Sequence, residues 1–375
     1  MAKVTFVYIG LGSNLGNRED FIEKALVMLK EIPKVTLMRT STLIETEPLG
    51  NAKQHKFLNT VAEVSTTLTA AELHKQLIQI EAFLGRERGA KWAPRTIDLD
   101  ILLFGDQLIN TPELTIPHPQ MHLRSFVLSG MCELCFPLIH PVLNETMEEM
   151  ESRLNGADYV LKADIPQVVS VGGIIGVGKT TLAEKLAKLL GGKLLLESYD
   201  TNPYMPEVYA GKKEYALDSQ LYFLTTRTEQ LNRDVLAAGQ IAVSDYVFDK
   251  ELIYARRLLD ARQLTLYERT YPLLASQVVS PVLVIYLQDS VQGCLERIHR
   301  RNRPYEQKIE LSFLESLDAD YRRLFENWKI CPVIRKQVSK FDCTKDSDLQ
   351  DLANQVKYYV ASDSLIANTH KQSKI

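Results

Sequence analysis

Asp98 and Asp100 sit two residues apart in APRTIDLDILLFG (Ala93–Gly105), alternating with Ile97, Leu99 and Ile101. In a strand, side chains at i and i+2 share a face, so both carboxylates project from one side while the aliphatic residues face the other. Such positions lie about 6–7 Å apart, a spacing suited to hard cations that also carry phosphate oxygens. Arg95, with Arg86 and Arg88, adds positive charge for a leaving or transferring group. Two aspartates on a solvated strand face would be the commoner reading; their company with Arg95, Trp92 and a downstream IPHP weighs against it. A second phosphate-handling pattern is GGIIGVGKTT (Gly172–Thr181). Gly173 to Thr180 satisfies G-x-x-x-x-G-K-[ST] between a strand and a helix. Gly173, Gly176 and Gly178 let backbone N–H groups close round phosphates, and the helix N-terminus adds its positive end. Lys179 reaches the β- and γ-phosphates and Thr180 the Mg²⁺, with Thr181 completing the ATP-binding set. Two ATP-using sites on separate domains are expected.

The elements that position these groups differ between the halves. Residues 4–11 read as a strand, and NREDFIEKALVMLKEI places Phe21, Ile22, Ala25, Leu26 and Leu29 on one helical face. β-like stretches follow at Leu37–Thr46 and Phe57–Thr67. Thr69 and Glu72 make a capping box for a helix to about Leu84. A strand at Ile97–Phe104 and a helix around Phe126–Phe136 complete an α+β order, a β-α-β-β-α-β succession like a ferredoxin-like sandwich. The boundary is expected within 154–167. Beyond it VVSVGG, LLLES, IAVSD and PVLVIYLQD alternate with helical segments, which argues for a parallel sheet flanked by helices. TTLAEKLAKLL puts Leu182, Leu186 and Leu189 on its inner face. The domains read as 1–160 and 161–361, with a flexible tail at 362–375.

Over residues 3–150 the chain closely resembles the 6-hydroxymethyl-7,8-dihydropterin pyrophosphokinases. The matching pieces are IGLGSNLGNR, TEPLG, FLNTV, IEAFLGRER, WAPRTIDLDILLFG and IPHPQMHLRSFVL. The resemblance implies transfer of the β,γ-pyrophosphate of ATP to the pterin hydroxymethyl group. It implies two Mg²⁺ ions on Asp98 and Asp100, and Arg86 and Arg95 assisting the transferring group. Glu81, Trp92, His118 and Arg124 would lie near the ATP. Thr46, Leu49, Asn59 and Phe126 would line the pterin pocket, with Phe57 at an aromatic position. The chemistry is coherent, because a planar pterin suits an aromatic sandwich and an amide can satisfy its donor and acceptor edges.

Over about 167–335 the chain resembles the deoxynucleoside kinases, especially the bacterial deoxyadenosine/deoxyguanosine branch. The P-loop, Glu197-Ser198, NPY, Tyr209, SQLYFLTTR and RRNRPYEQ carry the likeness. By resemblance this half is an α/β P-loop kinase with one Mg²⁺, and Glu197 takes the proton from the 5′-hydroxyl. Tyr209 and Glu306 would grip the sugar 3′-hydroxyl and Gln220 the base edge. Arg227 would add base selectivity, with Arg301 and Arg303 on a lid. The family's acidic-Arg-Ser motif after the third strand is here Ser244-Asp245-Tyr246, without the arginine that steadies the glutamate. Asp245 would bind metal-linked water or pair with Arg227.

The leading expectation is a bifunctional transferase joining folate biosynthesis to deoxynucleoside salvage. A nucleoside-monophosphate kinase in the second half, or a non-catalytic module in one half, are the alternatives. At 375 residues two domains are expected. A formal net charge of −3 gives no nucleic-acid footprint, and no apolar run reaches the roughly 18 residues of a membrane span. The N-terminus lacks a signal-peptide pattern, and five sparse cysteines argue for reduced thiols in a cytoplasm. Cys132 and Cys135 read as buried packing residues rather than a metal or redox pair. The partners expected are dihydropterin, deoxynucleoside and ATP, with a homo-oligomer through the kinase domain by analogy.

Overall fold

A computed structural model of the chain describes residues 3–48, 54–86, 94–135 and 137–361. It divides into two compact units, Met1–Val160 and Leu161–Ile375. Leu49, Trp92 and the tail from 362 lie outside the described residues, as does the side chain of Tyr209.

In the first unit β1 (Thr5–Ser13), α1 (Arg18–Glu31), β2 (Val35–Thr40), β3 (Ile44–Thr46), β4 (Phe57–Thr66), α2 (Ala70–Phe83) and β5 (Asp98–Phe104) follow one another. The strands pair antiparallel in the order β2-β4-β1-β5, with β3 on the start of β4. This is the expected β-α-β-β-α-β arrangement. Asn17 caps α1 by accepting the Asp20 N–H, and the Thr69–Glu72 box caps α2. Ile22, Ala25 and Leu29 of α1 and Leu73, Leu77 and Ile80 of α2 are buried against Val7, Ile9, Leu11, Leu99 and Ile101. Each large aliphatic side chain fully buried here contributes roughly 1.5–3 kcal/mol of transfer free energy.

The other face of the sheet holds the site. Strand alternation puts Gly10, Gly12, Asn59, Asp98 and Asp100 there, with Gly10 opposite Asp100 and Gly12 opposite both Asp98 and Asn59. A Cβ on Gly12 would sit 2.8 Å from Asn59 Oδ1, so glycine is what lets the amide approach the strand. A short hairpin, β6 (Ile109–Asn110) and β7 (Thr115–Ile116), leads to α3 (Ser125–Cys135) and α4 (Met147–Leu154). The continuous strand expected at Leu37–Thr46 is split instead. Ser41 Oγ accepts the Val61 N–H at 2.9 Å while the Ser41 N–H donates to the Val61 carbonyl, so side chain replaces ladder and the chain turns.

The second unit begins with β8 (Gln167–Gly172), α5 (Lys179–Leu190), β9 (Lys193–Leu195), α6 (Met205–Tyr209), α7 (Ala216–Gln230) and β10 (Ile241–Ser244). It continues with α8 (Glu251–Leu258), α9 (Ala261–Ala275), β11 (Leu283–Gln288), α10 (Val291–Arg301), α11 (Leu311–Glu326), β12 (Val333–Gln337) and α12 (Asp346–Lys357). All four pairings are parallel, in the order β12-β11-β8-β10-β9. Every residue of β8 and β10 is buried, as a sheet covered on both faces requires. On α5 the inner stripe is Leu182, Ala183, Leu186 and Ala187; Leu189 is 42 % exposed, so the stripe ends before the last turn. Among the described residues no helix is long and apolar enough to cross a membrane.

Candidate active sites

In the first unit Asp98 and Asp100 help line a cavity of about 330 Å³. Arg95, His118 and Arg124 share that lining, as do Thr46, Phe57, Asn59 and Phe126. Arg95 Nη1 donates to Asp98 Oδ2 at 2.6 Å, and Arg86 Nη1 lies 2.6 Å from Asp98 Oδ1. Desolvation in the cleft, then the Asp100 carboxylate, holds Asp98 above the usual carboxylate range, and the two arginines pull it back. Such a pair calls for cations. It fits Mg²⁺, which takes one or two carboxylates and fills its other positions with water and phosphate oxygens. Among the described residues no group of three His, Cys, Asp or Glu could cage a metal with protein ligands alone.

Around the carboxylates, Asn59 Nδ2 donates to Thr46 Oγ1 at 2.9 Å, joining two of the expected pterin residues. His118 Nδ1 accepts the Gln120 N–H; desolvation, then Arg124, pulls His118 down to about 4, so it is neutral near pH 7. Arg124 donates to Gln120 Oε1 at 2.7 Å. Neither Glu81 nor Arg86 is part of the cavity lining, although Arg86 reaches Asp98, which is. The Glu81 carboxylate accepts the Leu99 N–H at 2.7 Å and pairs with Arg86, and burial pushes it up to about 7. It is held by the β5 backbone and shares Arg86 with Asp98. Cys132 and Cys135 are half-buried rather than core residues, and desolvation pushes their thiols up to about 12 and about 11.

In the second unit the loops leaving β8, β9 and β10 meet at one edge of the sheet, where a parallel α/β fold places its ligands. Lys179 Nζ donates to the Ile174 carbonyl at 2.9 Å. Gly176 has φ +82°, and a Cβ there would lie 2.5 Å from the Cys294 carbonyl oxygen of α10. Arg297 of that helix donates to the Gly176 carbonyl at 2.7 Å. Thr180 Oγ1 donates to Asp245 Oδ2 at 2.6 Å, and Asp245 Oδ1 accepts the Glu197 N–H at 2.9 Å. Asp245 therefore ties the glycine-rich loop to Glu197, and the pairing with Arg227 that the sequence left open does not form. Thr181 lies exposed on the first turn of α5.

A cavity of about 340 Å³ beside this loop is lined by Glu197, Gln220, Phe223, Arg227, Lys250 and Glu251, among others. The Glu197 carboxylate is buried and pairs with both Arg227 and Lys250. Arg227 also pairs with Glu251, whose Oε2 accepts the Tyr267 hydroxyl at 2.5 Å. Arg227, expected to add base selectivity, lines the cavity with its guanidinium engaged by two carboxylates. The cation missing from Ser244-Asp245-Tyr246 is thus supplied twice, by α7 and by the turn after β10. Desolvation, then the charge of Arg227, lowers the Lys250 ammonium well below its ordinary range. Lys250 and Glu251 escape sequence reading because an adjacent Lys-Glu pair looks like a solvated helix start.

Glu306 is 2 % exposed and lies outside the cavity lining, which takes Lys308, Ile309 and Glu310 from the same stretch. Its Oε2 accepts from Arg301 Nε at 3.1 Å, and Arg303 lies 3.6 Å from Oε1. The structure therefore joins Arg301 and Arg303 to Glu306 rather than bringing Glu306 to the cavity wall.

Comparison with known proteins gives each unit a family. Residues 8–136 match the model of the 7,8-dihydro-6-hydroxymethylpterin-pyrophosphokinase family, and residues 169–361 that of the deoxynucleoside kinases. The chain is 45% identical over 128 residues to a 2-amino-4-hydroxy-6-hydroxymethyldihydropteridine pyrophosphokinase of Bacillus subtilis (strain 168), covering 34% of this chain and 77% of that protein. A Pseudomonas aeruginosa protein of the same name is 44% identical over 128 residues, 34% of this chain and 79% of its own. A deoxyguanosine kinase of B. subtilis is 38% identical over 156 residues, 41% of this chain and 75% of that one. The chain belongs to the first family through its first unit and to the deoxynucleoside kinases through its second, a fusion of a pterin pyrophosphokinase with a deoxynucleoside kinase.

Proposed function

We propose that the first unit transfers the β,γ-diphosphate of ATP to the hydroxymethyl oxygen of 6-hydroxymethyl-7,8-dihydropterin. The second transfers the γ-phosphoryl group of ATP to the 5′-hydroxyl of a deoxynucleoside. The observation that carries the first assignment is the meeting of two carboxylates and Arg95 with an aromatic and amide pocket in one cavity. Phe57 and Phe126 sandwich the pterin ring, while Asn59 and Thr46 satisfy its polar edge. His118 and Arg124 hold the ATP, and Arg86 and Arg95 neutralise the diphosphate as it moves. Two Mg²⁺ ions on Asp98 and Asp100 supply charge neutralisation when bound.

In the second unit Glu197 accepts the proton of the 5′-hydroxyl. Arg227 and Lys250 hold that carboxylate in place, which supports its assignment as the base. Asp245 and Thr180 would hold one Mg²⁺, which would neutralise phosphate charge there; Lys179 contacts the β- and γ-phosphates, and Arg301 and Arg303 screen the transferring group. Gln220 contacts the nucleobase, and the likeness to a deoxyguanosine kinase favours a purine. A cytoplasmic protein that forms an oligomer through the kinase unit completes the reading.

The test uses two variants of the full chain. Asp98→Ala lowers pyrophosphokinase turnover by roughly a thousandfold and leaves the kinase rate within about twofold. Glu197→Gln lowers the kinase kcat by roughly 10²–10⁴-fold with ATP binding retained. Phosphorylation of a deoxynucleoside monophosphate in preference to the nucleoside would remove Glu197 from its role.

A further inference from the structure

The cavity of the first unit has a wall residue that no motif predicts and that lies outside the family-matched segment 8–136: Asp158. Its Oδ1 accepts two hydrogen bonds from Ser125, the first residue of α3, from the main-chain N–H at 2.6 Å and from the hydroxyl at 2.8 Å. The next residue continues the grip. The Tyr159 N–H donates to the Leu123 carbonyl at 2.9 Å, and the Tyr159 carbonyl accepts from Arg124 Nη1 at 3.5 Å. Two consecutive residues of the stretch leading out of this unit thus clasp Leu123, Arg124 and Ser125, the middle one of which lines the cavity.

The clasped stretch carries two lining residues with different proposed partners. Arg124, just before the helix, is the one assigned to ATP, and Phe126, the second residue of the helix, the one assigned to the pterin. The first N–H groups of a helix have no partner within it, and a carboxylate there both satisfies them and complements the positive end of the helix. A displaced α3 start moves Arg124 and Phe126 together. Asp98, Asp100 and Arg95 sit on or next to β5, a different element held by its pairing with β1, and they are left in place.

We infer that Asp158 is a positioning residue of the pyrophosphokinase site. It fixes the start of α3 so that Arg124 meets the nucleotide and Phe126 the pterin, and it acts on substrate binding rather than on the transfer step. This rests on the proposed assignment of the first cavity. It also places a functional residue of that site in the connector, about twenty residues beyond the matched family segment.

The experiment compares Asp158→Ala and Asp158→Asn in the full chain, with pyrophosphokinase kcat and both KM values measured against Mg-ATP and 6-hydroxymethyl-7,8-dihydropterin. The deoxynucleoside kinase rate of the same samples reports on the intact polypeptide, and the thermal transition of the first unit reports on its fold. Asp158→Ala raises both KM values about tenfold with kcat within about twofold, and the kinase rate is unchanged. Asp158→Asn keeps a side-chain carbonyl for the Ser125 N–H and hydroxyl and restores both KM values to within about twofold. If Asp158→Ala leaves both KM values unchanged, or lowers kcat alone, the inference is wrong. It is equally wrong if Asp158→Asn is as impaired as Asp158→Ala, because charge rather than the cap would then be at work. Should Asp158→Ala fail to fold, Ser125→Ala, which removes one of the two bonds, must still raise both KM values or the inference fails. Wild-type chain inactive on the pterin would instead overturn the assignment of the cavity.

Discussion

Glu197 shows how a buried carboxylate is held in place. Its neighbours Arg227 and Lys250 are themselves nearly inaccessible, and a cation removed from water is tolerated only when paired. Each of the three therefore holds the others. Breaking the set at Lys250 leaves Glu197 with Arg227 as its remaining partner and a freer rotamer. Lys250→Met is expected to lower the kinase kcat by roughly ten- to a hundredfold, while the KM for ATP, set on the glycine-rich loop, stays within about twofold. Steady-state kinetics on a deoxynucleoside measure this, and an unchanged kcat would leave Arg227 as the sole support. In the first unit Arg86 has the same dual character, reaching Asp98 on one side and Glu81 on the other.

At the scale of elements, the glycine-rich loop is shaped as much by α10 as by its own sequence. Gly176 needs both its positive φ and the missing Cβ, because the backbone of α10 occupies the space a side chain would fill. Backbone cannot step aside as the end of a flexible side chain can. Gly176→Ala is thus expected to displace the loop and lower kinase kcat/KM by roughly a hundredfold, with pyrophosphokinase activity intact. Measuring both activities on one preparation checks it. The same helix carries Arg301 as its last residue, so the glycine-rich loop and Arg301 are both packed on α10. In the first unit the capping box of α2 and the alternation of β5 play the corresponding part, turning one face of the sheet to the core and the other to the ligand.

For the whole molecule, the stability of the first unit has a pH dependence that can be worked out from His140. It is 3 % exposed, and its Nδ1 accepts the N–H groups of Val142 and Leu143. Burial pulls it down to about 4, against roughly 6.5 in an unfolded chain. Between those values the unfolded chain takes up a proton that the folded one refuses. Stability present above pH 6.5 is therefore lost as pH falls towards 4, by about 2 kcal/mol at pH 5. Thermal unfolding of the full chain from pH 7.5 to 4.5 should show this loss; His118, lowered to about 4 chiefly by desolvation, adds to it in the same direction. His140→Asn, which keeps a side-chain acceptor without titrating, should therefore reduce the loss by about 2 kcal/mol at pH 5 and leave the His118 part. A profile unchanged by the substitution would place the titration elsewhere.

Sequence alone determined the two chemistries and most of the framework. A period of two over Ile97–Ile101 forces both aspartates to one face, the G-x-x-x-x-G-K-[ST] spacing compels a phosphate loop, and the Thr69–Glu72 box marks where α2 begins. These signals are local, so they survive without knowledge of the fold. The tertiary structure decided what depends on distant segments meeting. It brought Lys250 and Arg227 to Glu197, tied Asp245 to Thr180, paired Glu81 with Arg86 and Glu306 with Arg301 and Arg303, and brought Asp158 back to the start of α3. Strand Leu37–Thr46 broke for the same reason, since Ser41 found its partner in β4, 20 residues away. An ionic or hydrogen-bonded pair leaves no periodic trace in a sequence, because its members answer to a distance in space and to the exclusion of water, and only the folded chain sets both.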